Sequence, residues 1–156
     1  MAARASAATK PAEWELVITR ILDAPRALVF KTWTDPVHAA RWWGPKGFTV
    51  HSCEMDVRLG GAWRICMRSP EGTEHCKRGV YREIVAPERL VLTYAWEDAD
   101  GKPGHETLLT VSFADQGAKT RLTLHHTGFE TATARDAHHG GWTSCMERYA
   151  AYLARL

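Results

Sequence analysis

The sequence predicts an α+β fold in which a curved antiparallel sheet of about seven strands wraps around one long C-terminal helix. Three observations predict it: residues 14–22 alternate as a strand, residues 48–129 alternate with a period of two, and residues 131–156 follow a helical period. Successive strands with short turns form an antiparallel meander, whose apolar face must be covered. The C-terminal helix is the predicted element long enough to cover that face, which gives a helix-grip arrangement.

The N-terminal part of this fold is predicted as one strand and two short helices. The strand WELVITRIL, residues 14–22, places Trp14 and Leu16 on the same face. Asp-Ala-Pro then ends the strand and opens a helix that runs to about Trp33, because proline is tolerated in a first helical turn. A second helix, VHAARWW, follows the N-cap and proline signal Thr-Asp-Pro, and Gly44-Pro45 ends it.

The central part of the chain is predicted as six strands joined by short turns. Gly60-Gly61 and Asp115-Gln116-Gly117 are typical turn sequences between alternating segments. Within these segments the alternation is clear, for example where Trp63 and Met67 share one face. The predicted strands span residues 48–57, 61–69, 74–85, 88–97, 105–114 and 118–128.

Length and charge limit the class of protein. A chain of 156 residues fits one domain, predicted at 14–156 after a disordered tail at 1–13. The net charge of +2 comes without a cluster of Lys and Arg, which argues against nucleic-acid binding. Because no stretch has the apolar length that a bilayer requires, we expect no membrane insertion.

Cysteine usage and the first residues indicate the cell compartment. The four cysteines, Cys53, Cys66, Cys76 and Cys145, are scattered without a C-x-x-C pair, which argues against a zinc site and weakly against a disulfide framework. We therefore expect free thiols in a reducing compartment. The opening MAARASAATKPAE lacks the apolar block of a secretory signal, so the sequence predicts a cytoplasmic protein.

The segment RDAHHGGWTSCMERY, residues 135–149, resembles a reactive site placed in a helix. Each glycine of its pair costs about 1 kcal/mol relative to alanine in a helix interior, so the pair needs a reason. We interpret it as room beside Trp142, either for cavity volume or for a close approach of helix and sheet. His138 and His139 point about 100° apart on a helix, so they cannot face one metal ion together. We predict no metal site and interpret both histidines as bystanders.

Cys145 is the sharper candidate for chemistry, as a catalytic nucleophile. It shares a helix face with His138, but a spacing of seven residues separates the two by about 10 Å along the axis, too far for proton transfer. A partner would have to come from a strand, where His125 and His126 are available. A buried structural thiol is the ordinary alternative, and we assign no catalytic residue.

The aromatic residues indicate a lined cavity, with a filled core as the open alternative. A simple core between sheet and helix would favour Leu, Ile and Val, whereas stiff rings with polar tips suit cavity walls. Methionines add adaptable surface, and His51, placed on the inward face of its strand with Met55, is the candidate polar group. The predicted ligand-binding residues are Trp33, Trp43, His51, Met55, Trp63, Met67, Tyr81, Tyr94, Trp96, His138, Gly141, Trp142 and Met146.

Charged residues on the strands have two interpretations. Residues such as Arg64, Arg78 and Glu83 could act as acid or base if they were buried together. We favour cross-strand ion pairs on the solvated face of the sheet, because such pairs are the common role of charged strand residues.

Several segments together resemble a known family across residues 14–156. The segments are DAPRALVFKTWTDPVHAARWWGP, MDVRLGGAWRICMRSPEG, GVYREIVAPERLVLTYAW and the GGW of the last helix. They resemble the START-like (SRPBCC) superfamily, in its branch of heat-shock-protein-90 ATPase activator homologue-like domains. The resemblance implies a helix-grip fold with a deep apolar cavity between sheet and helix. Members of the superfamily bind lipids, sterols or polyketides, and some catalyse aromatisation, cyclisation or hydrolysis.

Three functions follow from these observations and from the resemblance. We favour a module that binds a hydrophobic or aromatic small molecule, without a cofactor, over an enzyme. The alternatives are a cyclase, aromatase or hydrolase acting on hydrophobic substrates, and a stress-response partner that activates a chaperone ATPase. The co-chaperones of the branch carry a further N-terminal domain, for which this chain has no room. A homodimer is left open, because many relatives pair.

Overall fold

A seven-stranded antiparallel sheet packs against the C-terminal helix in the computed structural model, which describes residues 14–156. The predicted tail at 1–13 lies outside the described residues. The elements are β1 (Trp14–Leu22), α1 (Arg26–Thr34), α2 (Pro36–Trp42), β2 (Thr49–Met55), β3 (Ala62–Arg68), β4 (Glu74–Val85), β5 (Arg89–Trp96), β6 (Thr107–Gln116), β7 (Lys119–Phe129) and α3 (Ala132–Leu153). The predicted α+β fold class is confirmed.

The sheet is a meander from β2 to β7, to which β1 is added at the far edge. Its strand order is β1-β7-β6-β5-β4-β3-β2, and every neighbouring pair is antiparallel. In β1, Ile18 pairs with Leu124 of β7, so the isolated first strand obtains its backbone partners there. β1 and β2 are therefore the two edges, far apart in the sheet.

The helices α2 and α3 begin at residues whose side chains cap them. The Asp35 carboxylate accepts a hydrogen bond from the backbone N–H of Val37 (2.9 Å), and Pro36 occupies the first turn of α2. At the start of α3, Thr131 Oγ1 accepts from the backbone N–H of Ala134 (3.0 Å). Within the described residues, no helix combines the length and the apolar character that crossing a membrane requires.

One glycine allows β4 and β5 to approach each other closely. A Cβ atom on Gly79 would lie 1.9 Å from the backbone oxygen of Thr93, a distance that no side chain can occupy. The Thr93 oxygen also accepts from the indole N–H of Trp63 (3.0 Å), and Thr93 Oγ1 accepts from the backbone N–H of Val80 (2.8 Å). Only glycine is therefore compatible with the backbone at position 79.

The outer face of the sheet carries the expected ion pairs. Glu97 accepts two hydrogen bonds from the Arg64 guanidinium (2.7 and 2.9 Å), and Arg78 lies 3.7 Å away. The hydrogen bonds from Arg64, followed by the positive charges of both arginines, lower the pKa of Glu97. Glu83 pairs with Arg89 at 3.1 Å. Arg64, Arg78 and Glu83 are thus each paired with an opposite charge and are not grouped as a buried acid and base, although the side chain of Glu97 is itself only 4% exposed.

Two of the cysteines differ from the prediction of free thiols. Cys66 and Cys76 are directly opposite each other in β3 and β4 and form a disulfide, whereas Cys53 and Cys145 are free. The prediction is wrong for the first pair, because antiparallel pairing brings residues together that sequence spacing does not identify as partners. Cysteine usage consequently no longer argues for a reducing compartment.

The first strand contains a second difference from the predicted pattern. Trp14 was expected on the inner face with Leu16, yet its side chain is exposed and lies beneath the Arg135 guanidinium (5.3 Å to the ring centre). The pairing of β1 with β7 is irregular between Trp14 and Leu16, which breaks the alternation on which the prediction depended.

Candidate functional site

A cavity of about 340 Å³ lies between the sheet and the N-terminal half of α3. Strands β3, β4 and β5 form one side, α3 forms the other, and the loop after α2 closes one end. The lining residues are Trp43, Gly44, Pro45, Phe48, Met67, His75, Lys77, Tyr94, Trp96, Ala137, His138, Gly141, Trp142 and Cys145. Most of this surface is aromatic or aliphatic, which suits an apolar ligand.

The glycine pair of α3 provides room on the helical side of the cavity. A Cβ atom on Gly141 would approach only Pro45 Cγ at 3.9 Å, an ordinary van der Waals contact. A Cβ atom on Gly140 would meet nothing within 4 Å, since this residue is exposed. Neither glycine is required by a close approach of helix and sheet, so the missing side chain at Gly141 leaves cavity volume.

The loop between α2 and β2 is fixed to α3 by hydrogen bonds. The Arg148 guanidinium donates to the backbone oxygens of Gly44 (3.4 Å) and Pro45 (3.2 Å), and Ser144 Oγ accepts from the backbone N–H of Lys46 (2.9 Å). Gly44 has a φ of 101°, which favours glycine there. These bonds hold the end of the cavity in place from the helix side.

His138 positions the wall of the cavity. Its Nε2 accepts from the indole N–H of Trp96 (2.8 Å), and its Nδ1–H donates to the backbone oxygen of Ala134 (2.8 Å). Burial lowers the pKa of His138, which keeps the ring in the neutral form that this pattern requires. His138 is therefore not a bystander, which agrees with its place among the predicted ligand-binding residues, and His139 is exposed as expected.

A second histidine, His126 on β7, holds the opposite wall. Its Nδ1 accepts from the indole N–H of Trp142 (3.0 Å), and its Nε2–H donates to Thr107 Oγ1 (2.7 Å), which in turn donates to the backbone oxygen of Tyr94 (2.8 Å). Burial lowers the pKa of His126 to about 2, so the ring is neutral. Both nitrogens are engaged, and neither is free to accept a proton from a bound molecule.

Lys77 on β4 is the charged residue that the sequence analysis missed. Its side chain is only 4% exposed, and Nζ donates to the Tyr94 hydroxyl (3.1 Å). The same nitrogen lies 4.6 Å from the ring centre of Trp96 and 5.6 Å from that of Trp43, within range for cation–π attraction. Burial lowers the pKa of Lys77 to about 7. The sequence did contain a signal for the inward position of Lys77. Counting back along β4 in steps of two from the buried Tyr81 leads to Lys77, so both side chains lie on the same face of the strand.

Cys145 lines the cavity as a thiol. Burial raises its pKa to about 11, although the neighbouring Lys77 opposes this shift, and Sγ donates to the backbone oxygen of Trp42 (3.7 Å). A cysteine nucleophile reacts as the thiolate, which this environment disfavours. The nitrogens of His126 and His138 are bonded elsewhere. The geometry thus supports the structural role of Cys145.

The predicted ligand-binding residues divide between the cavity and the core. Those that line the cavity are Trp43, Met67, Tyr94, Trp96, His138, Gly141 and Trp142. Those that pack in or against the core are Trp33, Met55, Trp63, Tyr81 and Met146. Besides Lys77, the sequence analysis assigned no binding role to Gly44, Pro45, Phe48, His75, Ala137 and Cys145, which complete the lining.

His51 is the one predicted site residue that points away from the interior. It is exposed and pairs with Glu74 at 2.5 Å on the surface. The pairing of β2 with β3 shifts register between Val50 and Ser52, so His51 occupies a β-bulge and the alternation changes phase there. The predicted inward orientation of His51 is wrong for this reason, whereas Met55 pairs with Trp63 and is partly buried as expected.

Comparison with known proteins gives consistent results for the family and the fold. The family model described as Activator of Hsp90 ATPase homolog 1-like protein matches residues 23–154. The crystal structure of the AHSA1 protein from Silicibacter pomeroyi is 28% identical, with a TM-score of 0.83 over 90% of this chain and 97% of that chain. A solution structure of a protein from Arthrobacter aurescens is 26% identical, with a TM-score of 0.82 over 94% and 90%.

A third solved structure, of a protein from Chromobacterium violaceum, is 28% identical, with a TM-score of 0.80 over 88% of this chain and 94% of that chain. Among curated proteins, no significant sequence match is found. The solved relatives therefore establish the fold of this chain and leave its activity open.

Proposed function

The chain belongs to the family of Activator of Hsp90 ATPase homolog 1-like proteins, and from that premise we propose that it binds a hydrophobic or aromatic small molecule. The ligand occupies the cavity between the sheet and α3. The observation that carries this proposal is the cavity itself, about 340 Å³ in volume with rings of Trp43, Tyr94, Trp96 and Trp142 in its walls. That volume falls within the range of sites for small organic molecules.

The apolar lining provides enough driving force for useful affinity. A ligand that buries about 300 Å² of apolar surface gains roughly 7 kcal/mol before the entropic costs of binding. The hydrogen bonds from Trp96 to His138 and from Trp142 to His126 fix two of the rings before a ligand arrives. Such preorganisation reduces the ordering cost of binding.

Binding without chemistry is favoured over catalysis by the state of the polar groups. His126 and His138 are neutral with both ring nitrogens bonded, and the pKa of Cys145 is raised. Activation of a chaperone ATPase stays a prediction that depends on the family description. The cytoplasmic location likewise stays a prediction, and the oligomeric state stays open.

The test uses two leucine substitutions at adjacent positions of α3. Gly141→Leu places a side chain inside the cavity, whereas Gly140→Leu places the same side chain in solvent. Binding of naphthalene derivatives is measured by quenching of tryptophan fluorescence, and native mass spectrometry of freshly purified protein detects a ligand that co-purifies. We expect Gly141→Leu to weaken binding by about ten-fold or more, because it removes volume that the ligand needs.

Gly140→Leu is the matched control and should bind as the unmodified chain does. Circular dichroism establishes that both variants keep their helix and sheet content. Equal binding by the two variants, with the fold intact, would place the ligand elsewhere and contradict the proposal.

A further inference from the structure

We infer that the ligand carries an acidic group, and that the amine of Lys77 anchors this group inside the aromatic cavity. The inference deepens the proposed function and rests on it. The class of ligand is thereby an aromatic or polycyclic acid, with a carboxylate at the end that contacts β4 and β5.

The first argument is the missing partner of Lys77. A lysine ammonium has three N–H donors, and the structure provides one acceptor, the Tyr94 hydroxyl at 3.1 Å. Among residues 14–156 no carboxylate forms an ion pair with Lys77. A buried amine without a counter-charge is costly, and buried lysines are ordinarily paired. The cavity therefore lacks an acceptor at this position.

The second argument is the charge of the groups around Lys77. Tyr94 from β5 and Cys145 from α3 have pKa values raised by burial, so both are neutral near pH 7. His126 from β7 and His138 from α3 have lowered pKa values and are neutral as well. His75, two residues away on β4, also lines the cavity but carries no negative charge in either form. The protein offers Lys77 no anion, and a ligand carboxylate would provide one.

A third observation concerns Trp43, which lines the same cavity beside Lys77. Its indole N–H is buried and has no acceptor among the described residues. The ring centre of Trp43 lies 5.6 Å from Lys77 Nζ. A carboxylate has two oxygens and accepts several hydrogen bonds, so it can satisfy the remaining N–H donors of the ammonium beside this ring. Rings alone attract the ammonium, but they cannot accept its hydrogen bonds as well as an oxygen does.

The test compares acids with uncharged amides of the same shape. Benzoate and 2-naphthoate are the acidic probes, and benzamide and 2-naphthamide are the neutral ones. We expect the protein to bind each acid about ten-fold or more tightly than its amide near pH 7, because a charge-assisted hydrogen bond replaces a neutral one. Lys77→Met removes the amine and keeps the chain length. It should abolish this preference, so that each acid and its amide bind with affinities that differ by no more than about two-fold.

Two controls accompany this variant. Lys102→Met makes the same change of charge at an exposed position in the turn after β5 and should keep the preference for acids. Proton uptake by the unmodified chain gives a measurement that needs no variant. It is obtained from titration calorimetry of 2-naphthoate in buffers of different ionisation enthalpy.

The expected proton uptake follows from the free and bound states of Lys77. In the free protein the pKa of Lys77 is about 7, and a bound carboxylate raises it. Near pH 8.5 binding should therefore take up about one proton, whereas near pH 6 the amine is already charged and uptake should approach zero. Lys77→Met should show no uptake at either pH.

The outcomes separate the inference from the proposed function. Equal affinity for acids and amides, or an unchanged preference in Lys77→Met, overturns the inference while binding in the cavity stands. Absence of proton uptake near pH 8.5 overturns it too. If neither acids nor amides bind, the proposed function fails and the inference fails with it.

Discussion

The two ends of the space between the sheet and α3 use the same residue types with opposite results. At the filled end, the rings of Trp33 and Trp42 lie 4.6 Å apart between centres, and Trp42 lies at the same distance from Tyr149. At the open end, Trp96 and Trp142 stand around a cavity of about 340 Å³. The number of aromatic rings thus does not decide whether a region is filled. What faces the rings decides it: Tyr149 at one end, and the vacant side-chain position of Gly141 at the other.

The polar groups at the two ends differ in charge. At the filled end, the indole N–H of Trp42 donates to the backbone oxygen of Thr32 (3.0 Å), and the hydroxyls of Thr32 and Tyr149 share a hydrogen bond (2.7 Å). At the open end, the Lys77 amine and the Trp43 N–H have donors without acceptors in the described part of the chain. An indole N–H without an acceptor among residues 14–156 occurs at both ends, because that of Trp33 at the filled end also lacks one. The charged amine of Lys77 is therefore what distinguishes the open end.

The largest expected effect is the difference in stability between the same substitution, Trp to Ala, made at the filled end and at the open end. Trp33→Ala should lower the free energy of unfolding by about 3–5 kcal/mol, because it leaves a void among closely packed rings. Trp96→Ala should cost less than half of that, since this side chain is only partly buried and borders existing space. Urea unfolding followed by circular dichroism measures both. Equal losses would show that the open end is packed as tightly as the filled one.

The second effect has the opposite sign and depends on pH. Lys77→Met should raise the free energy of unfolding by roughly 2–4 kcal/mol at pH 6, because it removes a buried charge with a lowered pKa. At Lys77 the unfolded chain binds more protons than the folded one between pH 7 and about 10.5, the usual lysine value. The contribution of Lys77 to the stability of the unmodified chain should therefore rise with pH in this window, by up to about 1.4 kcal/mol per unit.

Urea unfolding of the two proteins at several pH values measures this dependence. The advantage of Lys77→Met should be largest below pH 7 and shrink as the pH rises toward 10. A constant difference across that range would mean that the folded state does not disfavour the charged amine.

The smallest expected effect tests why α3 carries two glycines. Gly140→Ala and Gly141→Ala should each stabilise the protein by about 1 kcal/mol, because alanine favours the helix and neither Cβ meets an obstacle. Thermal unfolding of both variants gives the comparison. If Gly141→Ala alone destabilised the protein, the loop around Pro45 would require that no side chain be present at position 141. The glycine would then serve the loop and not the cavity.

Alternation along the strands predicted the inner face well where pairing is regular. Trp63, Ile65 and Met67 are buried, and Tyr94 on β5 lines the cavity, as the sequence analysis predicted. Trp142 on α3 also lines the cavity, as its helical spacing indicated. His51 departs from the pattern because a single extra residue in β2 reverses the alternation. No local signal in the sequence marks that bulge.

Other features depend on contacts between segments that are distant in the chain. Sequence spacing did not pair Cys66 with Cys76, although the register of β3 and β4 places them opposite each other. His126 is separated from Trp142 by 16 residues, and their hydrogen bond exists only because α3 folds back over β7. The role of His126 in the cavity wall was therefore outside the reach of local pattern.

The sequence by itself determined the order of the elements, the α+β class, the family and the aromatic character of the interior, because these follow from periodicity, caps and turns along the chain. Only the tertiary structure decided which rings form a core and which surround a cavity, and that Lys77 lies among them without a counter-charge. The physical reason is that burial, desolvation and hydrogen-bond satisfaction are properties of the assembled neighbours of a residue, and those neighbours come from distant parts of the chain.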